Sequence, residues 1–214
     1  MSKDNSRETV AKTIISGIKK AHKSYHKLSN GFWLDYAPEY FLTCTIANEL
    51  CTMSGNEYIT LEHNVKDAVG SAGAISRGKL HTSMRSNGRS DIVLWYGNEC
   101  PKAIVEVKTP LYSLNSEAVK DIERIEKVLI KNKDNNTFKY GIFAFYTSAK
   151  DNQKSNASEI LGDYEVRNKT GRINGIVTKI DSILKHCDCE VYYSKSKPIE
   201  DSAWMAACIL ISPN

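Results

Sequence analysis

The stretch Tyr-Gly-Ile-Phe-Ala-Phe-Tyr-Thr, residues 140–147, is the sequence feature that most constrains the fold. A continuous apolar run of this length is typical of a central β-strand that is covered on both faces. A second apolar run, residues 103–105, lies upstream and continues into alternating residues. Strands of this kind need helices on both sides of the sheet, so we expect an α/β protein.

The remaining pattern divides the 214 residues into alternating helices and strands. Apolar spacing predicts helices at residues 6 to about 27, 39 to about 53, 116 to about 131, and 171–186. Strands are predicted at residues 57–62, 91–96, 102–109, 140–147, 189–193 and 204–212. This order predicts one α/β domain over residues 1–214, with a central mixed β-sheet flanked by helices.

Two neighbouring predicted strands carry a set of charged residues that could take part in catalysis. The first contains Asp91, in Arg-Ser-Asp-Ile-Val-Leu-Trp, and the second contains Glu106 and Lys108, in Ala-Ile-Val-Glu-Val-Lys-Thr-Pro. Residues two apart on a strand share a face, so Glu106 and Lys108 point the same way. Two carboxylates can hold a hard divalent cation, and a lysine can orient or polarise an attacking water.

The helix that begins after Pro38 adds two further acids to this picture. Glu39 and Glu49 fall within or beside its apolar stripe. A buried carboxylate is costly unless it is paired or binds a metal. Glu39 could equally cap the helix start, where the helix dipole favours an acid, and Glu49 could lie at the edge of the hydrophobic core. The residues alone leave these alternatives open.

Basic side chains near the acids are candidates for contact with a phosphate backbone. Residues 69–88 read as a flexible loop rich in Gly, Ser and basic residues, which leads into the strand of Asp91. Cations there would release counterions on binding a polyanion, although a solvated loop or helix face is the alternative. The candidates are Arg77, Lys79, Arg85 and Arg89 in the loop, and Lys120 and Arg124 on the helix that follows.

These residues and their setting resemble the PD-(D/E)XK, or restriction-endonuclease-like, nuclease superfamily. The resemblance covers residues 38 to about 147 as a helix, three-strand, helix, strand core, with the N-terminal helix and the C-terminal helix and strands as additions. It implies that Asp91 and Glu106 ligate Mg²⁺, for which Mn²⁺ could substitute, together with the carbonyl of Val107. Lys108 would position the water or stabilise charge at phosphorus, and Glu39, with Glu49 as second choice, would be the helical acid. Ser90 stands where the motif has its proline.

We therefore expect a metal-dependent nuclease that hydrolyses phosphodiester bonds. A DNA endonuclease in restriction, phage defence or a mobile element is favoured, and RNA remains open as substrate. A homodimer would suit symmetric cutting of a duplex. The alternative is a non-catalytic nucleic-acid-binding or assembly subunit that retains the nuclease fold. Phosphate-binding loop, nucleophile-elbow and His-Glu-x-x-His motifs are absent from the sequence.

Cysteine content and hydropathy indicate where the protein works. The six cysteines follow no signal peptide, and a chain of this length needs no disulfide support, so we expect free thiols and a cytoplasmic location. No apolar stretch is long enough to cross a bilayer, which predicts that membranes are not partners. The net charge of +4 permits an anionic partner without requiring one.

Overall fold

The structure is a computed structural model that describes residues 6–53, 58–74, 88–152, 155–162 and 171–214. Within these ranges the chain forms six α-helices and seven β-strands. The helices are α1 (Arg7–Leu28), α2 (Glu39–Cys51), α3 (Val65–Ser71), α4 (Ser116–Ile130), α5 (Ala157–Leu161) and α6 (Arg172–Ile183). The strands are β1 (Tyr58–Asn64), β2 (Arg89–Trp95), β3 (Pro101–Lys108), β4 (Tyr140–Lys150), β5 (Cys187–Tyr193), β6 (Lys197–Ile199) and β7 (Ser202–Pro213).

The seven strands form one mixed sheet in the order β1-β2-β3-β4-β7-β5, with β6 pairing β7. The pairs β1/β2 and β2/β3 are antiparallel, β3/β4 is parallel, and β7 is antiparallel to both β4 and β5. Parallel pairing of β3 and β4 requires a crossover, which α4 supplies. The expected single α/β domain with a mixed sheet is confirmed.

Helices cover both faces of the sheet. The apolar side chains of β3 and β4 point alternately into a core on one face and a core on the other. Ile104 and Phe143 pack with α4 and α6 on one face. Val105 and Ala144 pack with α1 and α2 on the other face. β3 therefore lies in the interior of the sheet, and a charged residue on it is buried unless a gap in the helices exposes it.

Helices α1 and α2 pack closely because a glycine stands at their crossing. A Cβ atom on Gly17 of α1 would lie 2.8 Å from the Cα of Ile46 in α2. The N-terminus of α1 is capped by Ser6, whose hydroxyl accepts a hydrogen bond from the Thr9 N–H at 3.2 Å. The packing of α1 against α2 fixes the position of the start of α2. This helix begins at Glu39, directly after Pro38.

Four short elements were not predicted from sequence. They are a 3-10 turn at Leu34–Tyr36 and the elements α3, α5 and β6. Helix α3 replaces the first part of the predicted basic loop, because Asn64 caps it and its apolar residues Val65, Ala68 and Val69 are buried. Its seven residues are stabilised by packing rather than by propensity. The loop residues Arg77, Lys79 and Arg85 lie outside the described residues.

Two expectations about the whole chain can be compared with the structure. All six cysteines have free thiols, as predicted. Among the described residues, no helix combines the length and the apolar character needed to span a bilayer.

Gly141 in β4 controls how closely α4 approaches the sheet. A Cβ atom there would lie 2.2 Å from Cγ2 of Ile125 and 3.2 Å from Cγ2 of Ile104. We predict that Gly141→Ala lowers the free energy of unfolding by about 1–3 kcal/mol through overpacking. Urea denaturation measures the change.

The matched control is Gly175→Ala on the exposed face of α6, where no atom lies within 4 Å of the added Cβ. There alanine should raise the free energy of unfolding by about 0.5–1 kcal/mol, because it favours the helix. Equal effects of the two substitutions would contradict the close approach of α4.

Candidate active site

Strands β2 and β3 bring Asp91 and Glu106 side by side. Ile92 pairs with Val105 in the antiparallel ladder, so the next pair along it juxtaposes Asp91 and Glu106 on the face covered by α4. One Asp91 carboxylate oxygen (Oδ2) accepts a hydrogen bond from the backbone N–H of Val107 at 2.6 Å. Ser90, at the position of the proline in the motif that the sequence resembles, is fully buried and donates its hydroxyl to the carbonyl of Val105 at 3.2 Å. Serine therefore helps to fasten β2 to β3 at this point.

Glu106 is buried and paired with an arginine from α4. Glu106 is only 1% exposed. Arg124 approaches it with Nε at 3.0 Å from Oε1 and Nη2 at 2.8 Å from Oε2. Burial raises the pKa of the Glu106 carboxyl, and the Arg124 guanidinium opposes that rise. Planar two-point pairing is the strongest geometry between these groups.

Lys108 joins two elements that lie far apart in the sequence. Its Nζ lies 3.1 Å from Oδ2 of Asp121 on α4 and 3.2 Å from Oε1 of Glu39 on α2. Burial disfavours the ammonium, but these carboxylates outweigh that effect and raise the pKa of Lys108 above its ordinary value. The lysine is therefore firmly charged.

The structure distinguishes the two helical acids that the sequence left open. Glu39 contacts Lys108 and also accepts a weak hydrogen bond from the Thr109 N–H at 3.4 Å. Glu49 instead lies 2.5 Å from Nζ of Lys20 and accepts a hydrogen bond from Ser16. Glu39 thus belongs to the cluster around Lys108, and Glu49 links α2 to α1.

Asp121 is the member of the cluster that sequence reasoning missed. It lies 2.5 Å from Nη2 of Arg124 and reaches Lys108 with its other oxygen, so it bridges the two cations. A signal was present in the sequence: Asp121 sits beside Ile122 on the apolar stripe of α4, where an acid is unusual.

The predicted basic contacts that lie in the described residues fall into two groups. Arg124 points inward, with its guanidinium engaged by Glu106 and Asp121. Lys120 and Arg89 are exposed and accessible to a ligand. Their roles in binding nucleic acid remain predictions.

The cluster contains more acids than bases. Within the described part of the chain, four acids lie around two cations: Glu39, Asp91, Glu106 and Asp121 surround Lys108 and Arg124. Burial raises the pKa of Asp91 to about 6, although the Val107 N–H and the Lys108 charge favour its ionised form. An added positive charge would relieve this imbalance.

Carboxylate and carbonyl oxygens, the donors predicted here, are the ligands that a hard cation such as Mg²⁺ prefers. Each predicted ligand also has a protein partner: Glu106 has Arg124, Asp91 has the Val107 N–H, and the Val107 carbonyl accepts from Nζ of Lys108 at 3.1 Å. Across the described ranges, no group of three or more His, Cys, Asp or Glu side chains has the geometry of a metal site. A cation would therefore depend on two carboxylates, a carbonyl and water, and on displacement of Arg124 from one Glu106 oxygen.

Comparison with known proteins adds no identification. No protein-family model matches the chain, and no significant match is found among curated proteins or among solved structures. The superfamily resemblance described from the sequence stays a prediction.

We predict that Arg124→Ala lowers the free energy of unfolding by about 3 kcal/mol, because it leaves the buried Glu106 without its partner. Adding Glu106→Gln to that variant should recover at least about 1 kcal/mol, since the unpaired acid is removed. Chemical denaturation of the two variants measures both changes.

Lys120→Ala is the matched control, because Lys120 is exposed on the same helix. It should change the free energy of unfolding by no more than about 0.5 kcal/mol. If Arg124→Ala were as mild as this control, the buried pair would not hold α4 on the sheet as described.

Proposed function

We propose that this protein is a metal-dependent nuclease that hydrolyses phosphodiester bonds, with DNA as the favoured substrate. The observation that carries the proposal is the acid-rich cluster on the interior strand β3, where Glu106 and Lys108 meet Asp91 from β2 and Glu39 from α2. Phosphodiester cleavage builds negative charge on phosphate oxygens, and a cation and a lysine at one place can neutralise it.

The chain topology around the cluster supports this proposal. Apart from the short helix α3 between β1 and β2, the elements α2, β1, β2, β3, α4 and β4 keep the helix, three-strand, helix, strand order that the superfamily resemblance implies. The antiparallel, antiparallel and parallel pairings bring the three motif residues to one face. A restriction-endonuclease-like core is part of the proposal.

Each side chain in the cluster has a distinct role in the proposed reaction. Lys108 would hold the attacking water or donate to a phosphate oxygen, because its ammonium stays charged. Glu39 and Asp121 would orient that ammonium from opposite sides. Asp91 and Glu106 would hold Mg²⁺ or Mn²⁺ with the carbonyl of Val107. The bound cation would supply Lewis-acid stabilisation of the scissile phosphate.

One observation favours a second candidate function. Arg124 occupies both oxygens of Glu106, which is the arrangement of a structural ion pair rather than an open ligand. A non-catalytic nucleic-acid-binding or assembly subunit with this fold would keep that pair permanently. Metal binding separates the two candidates.

We predict that the protein cuts DNA in the presence of Mg²⁺ or Mn²⁺, and that Glu106→Ala and Lys108→Ala each reduce the cleavage rate by about a hundredfold or more. Gel assays on plasmid, linear DNA and RNA measure the rate, and circular dichroism checks that the variants fold.

Glu49→Gln is the matched control, since Glu49 lies on the same helix as Glu39 but pairs with Lys20. It should cut at the wild-type rate. A wild-type protein that is inert on DNA and RNA with both metals would overturn the proposed activity.

We further predict that Mn²⁺ at about a hundred times its dissociation constant raises the melting temperature by about 5 °C or more. Asp91→Asn should abolish the rise, because it removes a ligand charge. Differential scanning fluorimetry gives the result, with Glu49→Gln again as control. No shift in the wild-type protein would favour the non-catalytic subunit.

A further inference from the structure

A separate cavity of about 700 Å³ lies beside the candidate active site. It is lined by the 3-10 turn with the residues just before it, the loop after β3, the end of β4, the start of α6 and residues 199–202. Cavities of this size accommodate small molecules or a single nucleotide. None of the roles proposed above uses its residues.

The polar floor of the cavity is built around Asp35. One oxygen of its carboxylate (Oδ1) accepts hydrogen bonds from the Tyr112 hydroxyl at 2.6 Å and from the Ser148 hydroxyl at 2.5 Å. Arg172 donates to the Thr147 hydroxyl at 2.9 Å and to the carbonyl of Ser148. Its guanidinium carbon lies 5.2 Å from the centre of the Tyr112 ring. The floor thus offers a carboxylate and a guanidinium held in fixed positions.

The wall of the cavity is aromatic and accessible. Phe32, Tyr36 and Tyr112 all line it, and they are 58%, 72% and 50% exposed. Three large rings left in water around one concave surface form an apolar patch that marks a binding site rather than scattered surface residues. Flat rings on one concave surface suit a flat, aromatic ligand.

The charge of the cavity indicates which part of a nucleotide would bind there, the phosphate or the nucleobase. Among the described residues, the charged groups that line it are three carboxylates and two cations: Asp35, Glu200, Asp201, Lys150 and Arg172. This described lining has more carboxylates than cations, which disfavours a phosphate relative to a neutral group. A nucleobase is neutral, carries hydrogen-bond donors and acceptors on its edge, and stacks on aromatic rings.

The cavity is also tied to the cleavage residues by short chain segments. Tyr112 follows Lys108 by four residues, and Asp35 precedes Glu39 by four. Such a segment spans at most about 14 Å. The Thr109 hydroxyl donates to the Leu34 carbonyl at 3.4 Å, which joins the two segments. Nucleotides in a stacked duplex rise about 3.4 Å each along a strand, and unstacked nucleotides span more, so the cavity lies within a few nucleotides of a phosphate at Lys108.

We infer that this cavity is a base-binding subsite that takes one unpaired nucleobase flanking the cleaved phosphate. The inference rests on the proposed nuclease function, and it names single-stranded or locally unpaired nucleic acid as the preferred substrate. A base inside a duplex is stacked and paired on both sides, so it enters a pocket only after it is extruded. Tyr36 and Tyr112 are the stacking residues, and Asp35 and Arg172 contact the base edge.

The test measures binding without cleavage, in chelator, by fluorescence anisotropy of a labelled single-stranded DNA oligonucleotide. A series of oligonucleotides each lacks one base while keeping its phosphate. Wild-type protein should lose about tenfold in affinity at one or two adjacent abasic positions and little elsewhere. Duplex DNA of the same sequence should bind more weakly.

Tyr36→Ala should weaken binding of the intact oligonucleotide by about tenfold and remove the sensitivity to the abasic position. Tyr36 is largely exposed, so this variant is expected to fold. Tyr58→Ala is the matched control, because Tyr58 is also exposed but lies on β1, outside the cavity. It should bind as the wild-type protein does.

Failure of the subsite is distinguishable from failure of the nuclease. A flat abasic series, an unchanged Tyr36→Ala variant, or no binding of the intact oligonucleotide would overturn the subsite, whatever the cleavage assay shows. Position-dependent binding lost in Tyr36→Ala supports the subsite even if metal-dependent cutting is absent.

Discussion

A buried carboxylate on an interior strand is the constraint on which the rest of the structure depends. Glu106 lies in the middle of the sheet, where an unpaired charge would be unfavourable by several kcal/mol, about the scale of a whole domain's stability. Arg124 meets it from α4, and Gly141 lets α4 come close enough to do so. Asp121, Lys108 and Glu39 then extend the pairing to α2. One acid thereby couples both helical layers to the sheet.

Stability alone gives no reason for such a cluster. Apolar side chains of similar volume would fill the same space as stably as an ion network or more so. As far as the described residues show it, the network is also unbalanced, with four acids around two bases, and Asp91 holds its proton more tightly than an exposed aspartate does. Proteins tolerate such local conflicts where a site performs chemistry. The proposed nuclease function gives the imbalance a purpose, because a divalent cation would offset it.

Much of the fold was visible in the sequence, since periodicity reports burial. The apolar run of β4 and the alternation of Glu106 and Lys108 on β3 predicted the central strands and one charged face. The partners across that face were not predicted, although the place of Asp121 on the apolar stripe of α4 was a signal. Arg124 was predicted to contact a phosphate backbone, with a solvated helix face as the alternative, and Asp121 was not singled out. The direction in which α4 presents these side chains depends on its tertiary packing. Helix α3 is similar: seven residues form it only when packed. The cavity around Asp35 unites segments distant in sequence, and none carries a local signal.

The most direct test of the central claim is anomalous diffraction from crystals of this protein soaked in Mn²⁺. The account predicts a manganese peak within coordination distance of Asp91 and Glu106, with Arg124 withdrawn from at least one Glu106 oxygen. A map with no peak at that position, and with Arg124 still holding both oxygens at saturating metal, would contradict it.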